Sequence, residues 1–341
     1  MSRHRPPADA VLAEIAAIAV TPGPLAARAQ ALLEPLGRLL HFDAAWISLL
    51  DPERRVQAPL VSRGHPDRVR HYMNSTGHVD DIERLGLHQD RVPMRVKDMP
   101  VAPSELPAWA DYLYPAGFGE GIAVPLTTPD GRYLGMFATT TETSTPSSDA
   151  VRDQLAALAP LIAHAVDPMN TLTALADLVT AATAGVVLTH AGNTQPLTGL
   201  TEHQLLAPGS AVLHKATACM TSGDQHAAFL ATDHARDGLR RYLKATVLAC
   251  PTLPPGHWRA VILLSPAGDL HGLTHRELRI LGQLIAGWTH PRITDHLRLP
   301  RHALLAAVEN VRTKLGAPTR DAAVIRAADQ GLYLPPAPTR R

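Results

Sequence analysis

Apolar residues recur every three or four positions in PLAARAQALLEPLGRLL (24–40), the spacing of an amphipathic helix. The rhythm then changes. AAWISLL (44–50) and VQAPLVS (56–62) flank the turn-forming DPER and predict a strand hairpin. GIAVPLTT and YLGMFATT flank PDGR and predict a second hairpin, with Asp130-Gly131 at the bend. A long helix is expected from about Asp149 to Val166, after TSTPSS. Helices around an antiparallel sheet make an α+β domain, placed at 1–167. A second such pattern follows over 168–269. TLTALADLVTAATAG reads as helix, GVVLTH-AGN-TQPLTG as a hairpin, and RRYLKATVLAC and WRAVILLSP as strands.

From 270 to 335 the strand signals stop and four short helices are expected. Thr274 to Glu277 is a capping box, in which hydroxyl and carboxylate take up orphan backbone N–H groups. Leu278, Leu281 and Ile285 make the buried stripe of the first helix, and Gly287 ends it. Thr289 is placed to cap the second helix, with Pro291 in its first turn and Ile293 and Leu297 facing inward. After Leu299-Pro300 a third helix is expected to Leu315, with Leu304, Val308, Val311 and Leu315 on one face and Gly316 closing it. A fourth begins after Thr319.

Charge divides the chain the same way. From His271 onward there are eleven Lys/Arg against five Asp/Glu, and before it 21 against 26. A basic tail on an acidic body fits a nucleic-acid module attached to something that does not touch nucleic acid. With only four lysines among 32 basic residues, the arginine, alanine and proline bias fits a GC-rich bacterial coding sequence. Cys219 and Cys250 have no C-x-x-C nearby, which excludes a disulfide framework and a cysteine-based zinc site and fits a reducing cytosol. Residues 1–20 imitate a secretory signal, but Asp9 and Glu14 interrupt the apolar run and suit an amphipathic helix. A cytoplasmic protein without a membrane span is expected.

Two stretches carry family resemblances. YPAGFGEGIAVPLTTPDGRYLGMFA resembles the closing half of a GAF domain, with Gly117, Pro125, Leu126, Gly131 and Gly135 at that family's turn positions. The resemblance spans about 24–166 and implies a small-molecule site between the sheet and the connection at 63–118. Trp46, Tyr72, Trp109, Tyr112, Phe118 and Met136 are the candidate pocket residues; the alternative is that they fill the core. No cyclic-nucleotide signature and no bilin-attaching cysteine occur there. The order of elements over 168–269 resembles a degenerate PAS domain, with a second α+β dimerisation or linker domain as the alternative.

The stretch from Leu273 to Ala323 resembles the LuxR-type helix-turn-helix domain without a gap. Glu277, Gly287, Ile293, Leu297, Val311, Lys314, Leu315 and Gly316 match its framework. The resemblance implies an actinobacterial-like transcription regulator that sets its third helix in the major groove of double-stranded DNA, with the fourth at a dimer contact. The departures fall on that third helix. Ala-Leu-Leu-Ala-Ala stands at 303–307, where the family commonly has Thr-Val-Lys-x-His. The outward face is then His302, Leu305, Ala306, Glu309 and Thr313, with Glu309 set to repel phosphate. Arg301, Arg312, Lys314 and Arg320 are the candidate phosphate contacts, and His302, Leu305 and Ala306 the candidate base contacts.

Phosphate-loop, dinucleotide-loop, nucleophile-elbow and H-E-x-x-H patterns are missing, and His290, His296 and His302 are spaced by six, so no enzyme, cofactor or metal site is expected. The expectation is a multidomain α+β chain: GAF-like and PAS-like sensor domains followed by an all-α four-helix output, acting as a homodimeric regulator. Its partners would be DNA, an unknown small-molecule ligand and, as a candidate, RNA polymerase. The rival is an anti-activator that uses the apolar third helix as a protein interface.

Overall fold

The computed structural model describes residues 8–177, 179, 181–234, 240–250 and 254–337. These form a mixed α+β chain of two compact units divided after Asn170, with residues 254–257 grouped in the first. Among them no helix is long and apolar enough to cross a membrane. The first seven residues of the signal-like stretch lie outside the described residues.

The first unit opens with α1 (Ala8–Val20) and α2 (Leu25–Leu39), then β1 (Ala44–Asp51) and β2 (Val56–Arg63). The connection that follows is more structured than the pattern implied. It holds α3 (Asp67–Met73), α4 (Thr76–Arg84), the short β3 (Met94–Arg95) and a wide helical turn at Ala108–Leu113. β4 (Glu120–Thr127) and β5 (Tyr133–Thr141) form the second hairpin, and α5 (Asp149–Val166) is capped by the Ser148 hydroxyl, which accepts from the Val151 amide at 3.3 Å. The five strands pair antiparallel in the order β2-β1-β5-β4-β3.

β1 is buried on both faces apart from partly exposed Leu50, which explains its near-continuous apolar run. On one face, Leu32, Leu36, Leu155 and Ile162 of α2 and α5 pack with Ile47, Val124 and Phe137. On the other, the 67–118 connection packs over Trp46 and Met136. Gly135 is required where β5 meets β1: its φ is +154°, and a Cβ there would lie 2.1 Å from the Ser48 carbonyl oxygen.

α6 (Pro168–Asp177) leads to the second unit. The helix expected over 171–185 stops at Asp177, and Ala184 and Gly185 already belong to β6 (Ala184–Thr189). β-branched Thr183, Val186 and Val187 disfavour a helix, and GVVL finds partners in a sheet instead. β7 (Thr194–Pro196), α7 (Ala211–Thr221), β8 (His226–His234), β9 (Arg240–Ala249) and β10 (Trp258–Pro266) complete this part. Its order, β7-β6-β10-β9-β8, repeats that of the first sheet, again antiparallel throughout.

The four C-terminal helices are α8 (His275–Ile285), α9 (His290–Leu297), α10 (Arg301–Lys314) and α11 (Arg320–Gln330). Ile280, Ile293, Leu304 and Val308 make a small core among α8, α9 and α10. A larger core is shared with the sheet: Phe229, Val247 and Leu264 belong to one apolar cluster with Leu278, Leu281, Val311, Leu315 and Ala327. The segment after α11 ties the two parts. The Leu230 amide donates to the Tyr333 carbonyl at 2.8 Å, and the Leu334 amide donates to the Leu278 carbonyl at 3.0 Å. α8 can approach this segment only because residue 282 is glycine; a Cβ there would fall 1.7 Å from the Leu334 oxygen.

Candidate functional site

The four-helix C-terminal module is built from local rules. The Thr274 hydroxyl accepts from the Glu277 amide at 3.3 Å, while Glu277 Oε2 accepts from the Thr274 amide at 2.7 Å and its hydroxyl at 2.9 Å. Gly287, at φ +74°, lets the chain leave α8. Thr289 occupies the cap position of α9, but its hydroxyl makes no cap bond, since Pro291 removes one of the amides it would serve. Arg298 closes α9 in the left-handed region at φ 51°, and Pro300 then precedes α10. The Thr319 hydroxyl caps α11 by accepting from the Ala322 amide at 3.1 Å.

Along α10 the inward residues are Leu304, Val308 and Val311. Of the sequence-selected residues, Arg301, His302 and Ala306 are exposed and Leu305 is half-buried. At ~100° per residue, Arg301, Leu305 and Arg312 fall on one flank of the helix and Lys314 on the other. The four selected cations are therefore not equivalent. Lys314 turns to α8, where its Nζ donates to Glu277 Oε2 at 2.7 Å. Burial raises the Glu277 pKa, but bonds from Lys314 and Thr274 and the Lys314 charge outweigh it and leave that carboxyl below its usual range. Lys314 is thus a brace between α8 and α10.

Arg312 and Arg320 are also engaged. Arg312 Nε donates to Glu309 Oε1 at 2.7 Å and its guanidinium reaches the Ala317 carbonyl at 3.1 Å, while Arg320 Nε donates to Glu309 Oε2 at 3.4 Å. The Arg312 hydrogen bond, with further help from the Arg312 charge and from Arg320, holds the Glu309 carboxyl below its usual range. Glu309, the carboxylate set to repel phosphate, is the shared partner of two arginines. The Thr313 hydroxyl bonds back to the Glu309 carbonyl at 3.1 Å. Arg301 has no ion-pair partner among the described residues.

In the first unit the structure brings the six aromatic and methionine candidates into one cluster. Trp46, Tyr72, Trp109, Phe118 and Met136 are buried, and Tyr112 is half-buried and stacks on Tyr72 at 4.0 Å. The Tyr72 hydroxyl donates to Asp81 at 2.7 Å, and the Ala108 amide donates to the same carboxylate at 3.0 Å. Burial raises the Tyr72 pKa, helped by the Asp81 carboxylate. The cluster also holds polar atoms with no partner: Trp46 Nε1, His65 Nδ1 and both ring nitrogens of His78. Burial first, then the Arg70 charge, holds His65 down to about 4; burial and His65 do the same to His78. Sequence reasoning missed both histidines, because a lone histidine in a connection carries no spacing signal.

A cavity of about 580 Å³ lies within the second unit between α7, β8, the start of the helical module and residues 334–337. No motif pointed to it, since its walls come from four separate stretches. No group of three or more His, Cys, Asp or Glu side chains able to hold a metal occurs among the described residues.

No family model matches the chain, and no curated protein matches it. Among solved structures, the bacteriophytochrome RpBphP3 of R. palustris is 10% identical, covers 76% of this chain and scores a TM-score of 0.38. This chain spans 63% of that protein's length. The phycoerythrobilin-bound GAF domain of a cyanobacterial phytochrome is 17% identical over 47% of this chain and 94% of its own, with a TM-score of 0.38. The Vibrio cholerae VqmA dimer, a LuxR-type receptor, is 14% identical over 48% of this chain and 90% of its own, with a TM-score of 0.27.

Proposed function

We propose that the chain is a cytoplasmic, homodimeric transcription regulator, in which a GAF-like first unit and a PAS-like second sheet govern DNA binding by α8–α11. The observation that carries this reading is the helix-turn-helix itself. A capping box opens α8, a left-handed residue and Pro300 set the turn into α10, and the Glu277–Lys314 bond braces the two helices. Of these residues, Glu277 and Lys314 are also framework residues of the LuxR-type resemblance. Exposed His302 and Ala306 are then presented on the outward side of α10, with exposed Arg301 on its flank. Phosphate contacts come from Arg301 and the Arg312–Glu309–Arg320 cluster, and base contacts are few, since Ala306 and Leu305 offer only apolar contact.

The unpartnered nitrogens of Trp46, His65 and His78 support a small-molecule site in the first unit, because a polar ligand would satisfy them. Such a ligand acts by binding one arrangement of the protein better than another. Titration of the full chain into labelled duplex DNA at several salt concentrations tests the reading: binding with a salt slope supports it, and no binding even at low salt sinks it. The second reading, a protein-docking helix, is favoured by the engagement of three of the four cations and by the apolar centre of α10. Leu305→Lys separates the two, tightening DNA binding in the first and breaking a protein complex in the second.

A further inference from the structure

The cavity of the second unit has mainly apolar walls, including Phe229 and Leu230 of β8, Val212 of α7 and Trp288 before α9. Into these walls are set Lys215 of α7 and Arg279 of α8, and the lining residues include no carboxylate. Neither cation forms an ion pair among the described residues. Gln283, on the same wall, is 2% exposed and its Oε1 has no hydrogen-bond partner. Lys215 is half-buried and Arg279 exposed, so water serves both cations in the open site, but the buried Gln283 oxygen is costly to leave without a donor. The volume, about 580 Å³, is that of a small-molecule site.

We propose that this cavity binds a small amphipathic carboxylate, its charge on Lys215 and Arg279 and its apolar body along Phe229 and Trp288, with Gln283 hydrogen-bonding to the ligand. Two cations on apolar walls suit a single charge with a long apolar body and not a polyphosphate. His275 also lines the cavity; burial, then Arg240 and Arg279, lowers its pKa, and its Nδ1 lies 3.0 Å from the Tyr242 hydroxyl. His214 and His296 complete the titratable groups of the lining. The occupant would touch α7 and β8 on one side and α8 and α9 on the other, so binding would act on the helical module from within its own unit. The site stands apart from the DNA-binding reading, because its test reads ligand affinity and not DNA.

The test is calorimetric titration of the full chain with octanoate, 1-octanol and inorganic phosphate. Saturable one-to-one binding of octanoate is expected, at least tenfold tighter than that of 1-octanol, with no binding of phosphate. Lys215→Gln and Arg279→Gln should each weaken octanoate several-fold, and Ala218→Trp, at an exposed wall position that tolerates the change, should abolish binding while the melting temperature holds. Tyr112→Ala, in the first unit, should leave the affinity unchanged. The proposal is overturned by no saturable octanoate binding, by equal binding of octanol or phosphate, or by loss of binding in Tyr112→Ala with Ala218→Trp unaffected.

Discussion

Replacing Glu309 by glutamine isolates the charge that α10 and α11 can offer to DNA. Glu309 holds Arg312 at 2.7 Å and Arg320 at 3.4 Å, so the three side chains carry one net positive charge where the arginines alone would carry two. The triad faces solvent, so the substitution should leave the fold in place. Each phosphate neutralised adds about −0.9 to the slope of log affinity against log salt. Releasing one net charge should therefore steepen the slope by about 0.9. Between about 50 and 200 mM salt the variant would lose roughly 3.5-fold more affinity than the parent, and at the low-salt end it would bind on the order of tenfold tighter. Fluorescence anisotropy of the full chain on a labelled duplex measures both quantities. A Glu309→Gln slope identical to that of the parent, with binding present in both, would refute the placement of Arg312 and Arg320 at phosphates.

The other predictions follow from the same contacts. Lys314→Gln leaves Glu277 4% exposed with a charge unopposed, and should cost about 1–2 kcal/mol in urea unfolding while barely moving the salt slope; a slope shallower by about one unit with unchanged stability would make Lys314 a phosphate contact instead. Gly282→Ala drives a Cβ to 1.7 Å from the Leu334 oxygen and should cost several kcal/mol, read as a large fall in melting temperature. His65 and His78 titrate near 4 in the folded chain and near 6.5 when unfolded, so their stabilisation is complete above about 6.5 and drains as pH falls toward 4. The pair should lose about 2 kcal/mol between about pH 7 and 5.5, and His65→Phe with His78→Phe should flatten that dependence; equal pH dependence in parent and double variant would exclude them as the cause.

What the sequence made legible was what is encoded locally. The Thr274–Glu277 box, Pro300 before α10 and the glycines after α8 and α10 each act within a few residues, and each stands where the pattern put it. Both hairpins of the first unit were legible for the same reason. α7 and β8 were not: AVLHKATACMT and HAAFLATDH mix small and polar residues without a clean period, and their apolar positions are defined by neighbours far along the chain. The cavity they help to line was invisible with them. Glu309 and Arg312 are spaced to meet on one helix face, yet Arg320 arrives from another helix, so only the folded chain shows one carboxylate serving both.

The question posed by the apolar third helix turns on this difference between local and tertiary encoding. Capping and the Ile280–Ile293–Leu304–Val308 core fix the shape of the module, and none of those groups faces outward from α10. Lys314, a framework match and a candidate phosphate contact when read along the chain, serves that same shape through Glu277. A helical module held in this way would keep its shape through exchanges at exposed His302 or Ala306. The framework fixes how α10 is held and presented, as the proposed reading requires, while the strength and selectivity of its contacts are left to other residues. Those are the few outward groups: free Arg301, an arginine pair half neutralised by Glu309, and an apolar centre. On those groups, the proposed DNA binding would rest on phosphate contacts with weak sequence preference, and Leu305→Lys is expected to tighten it.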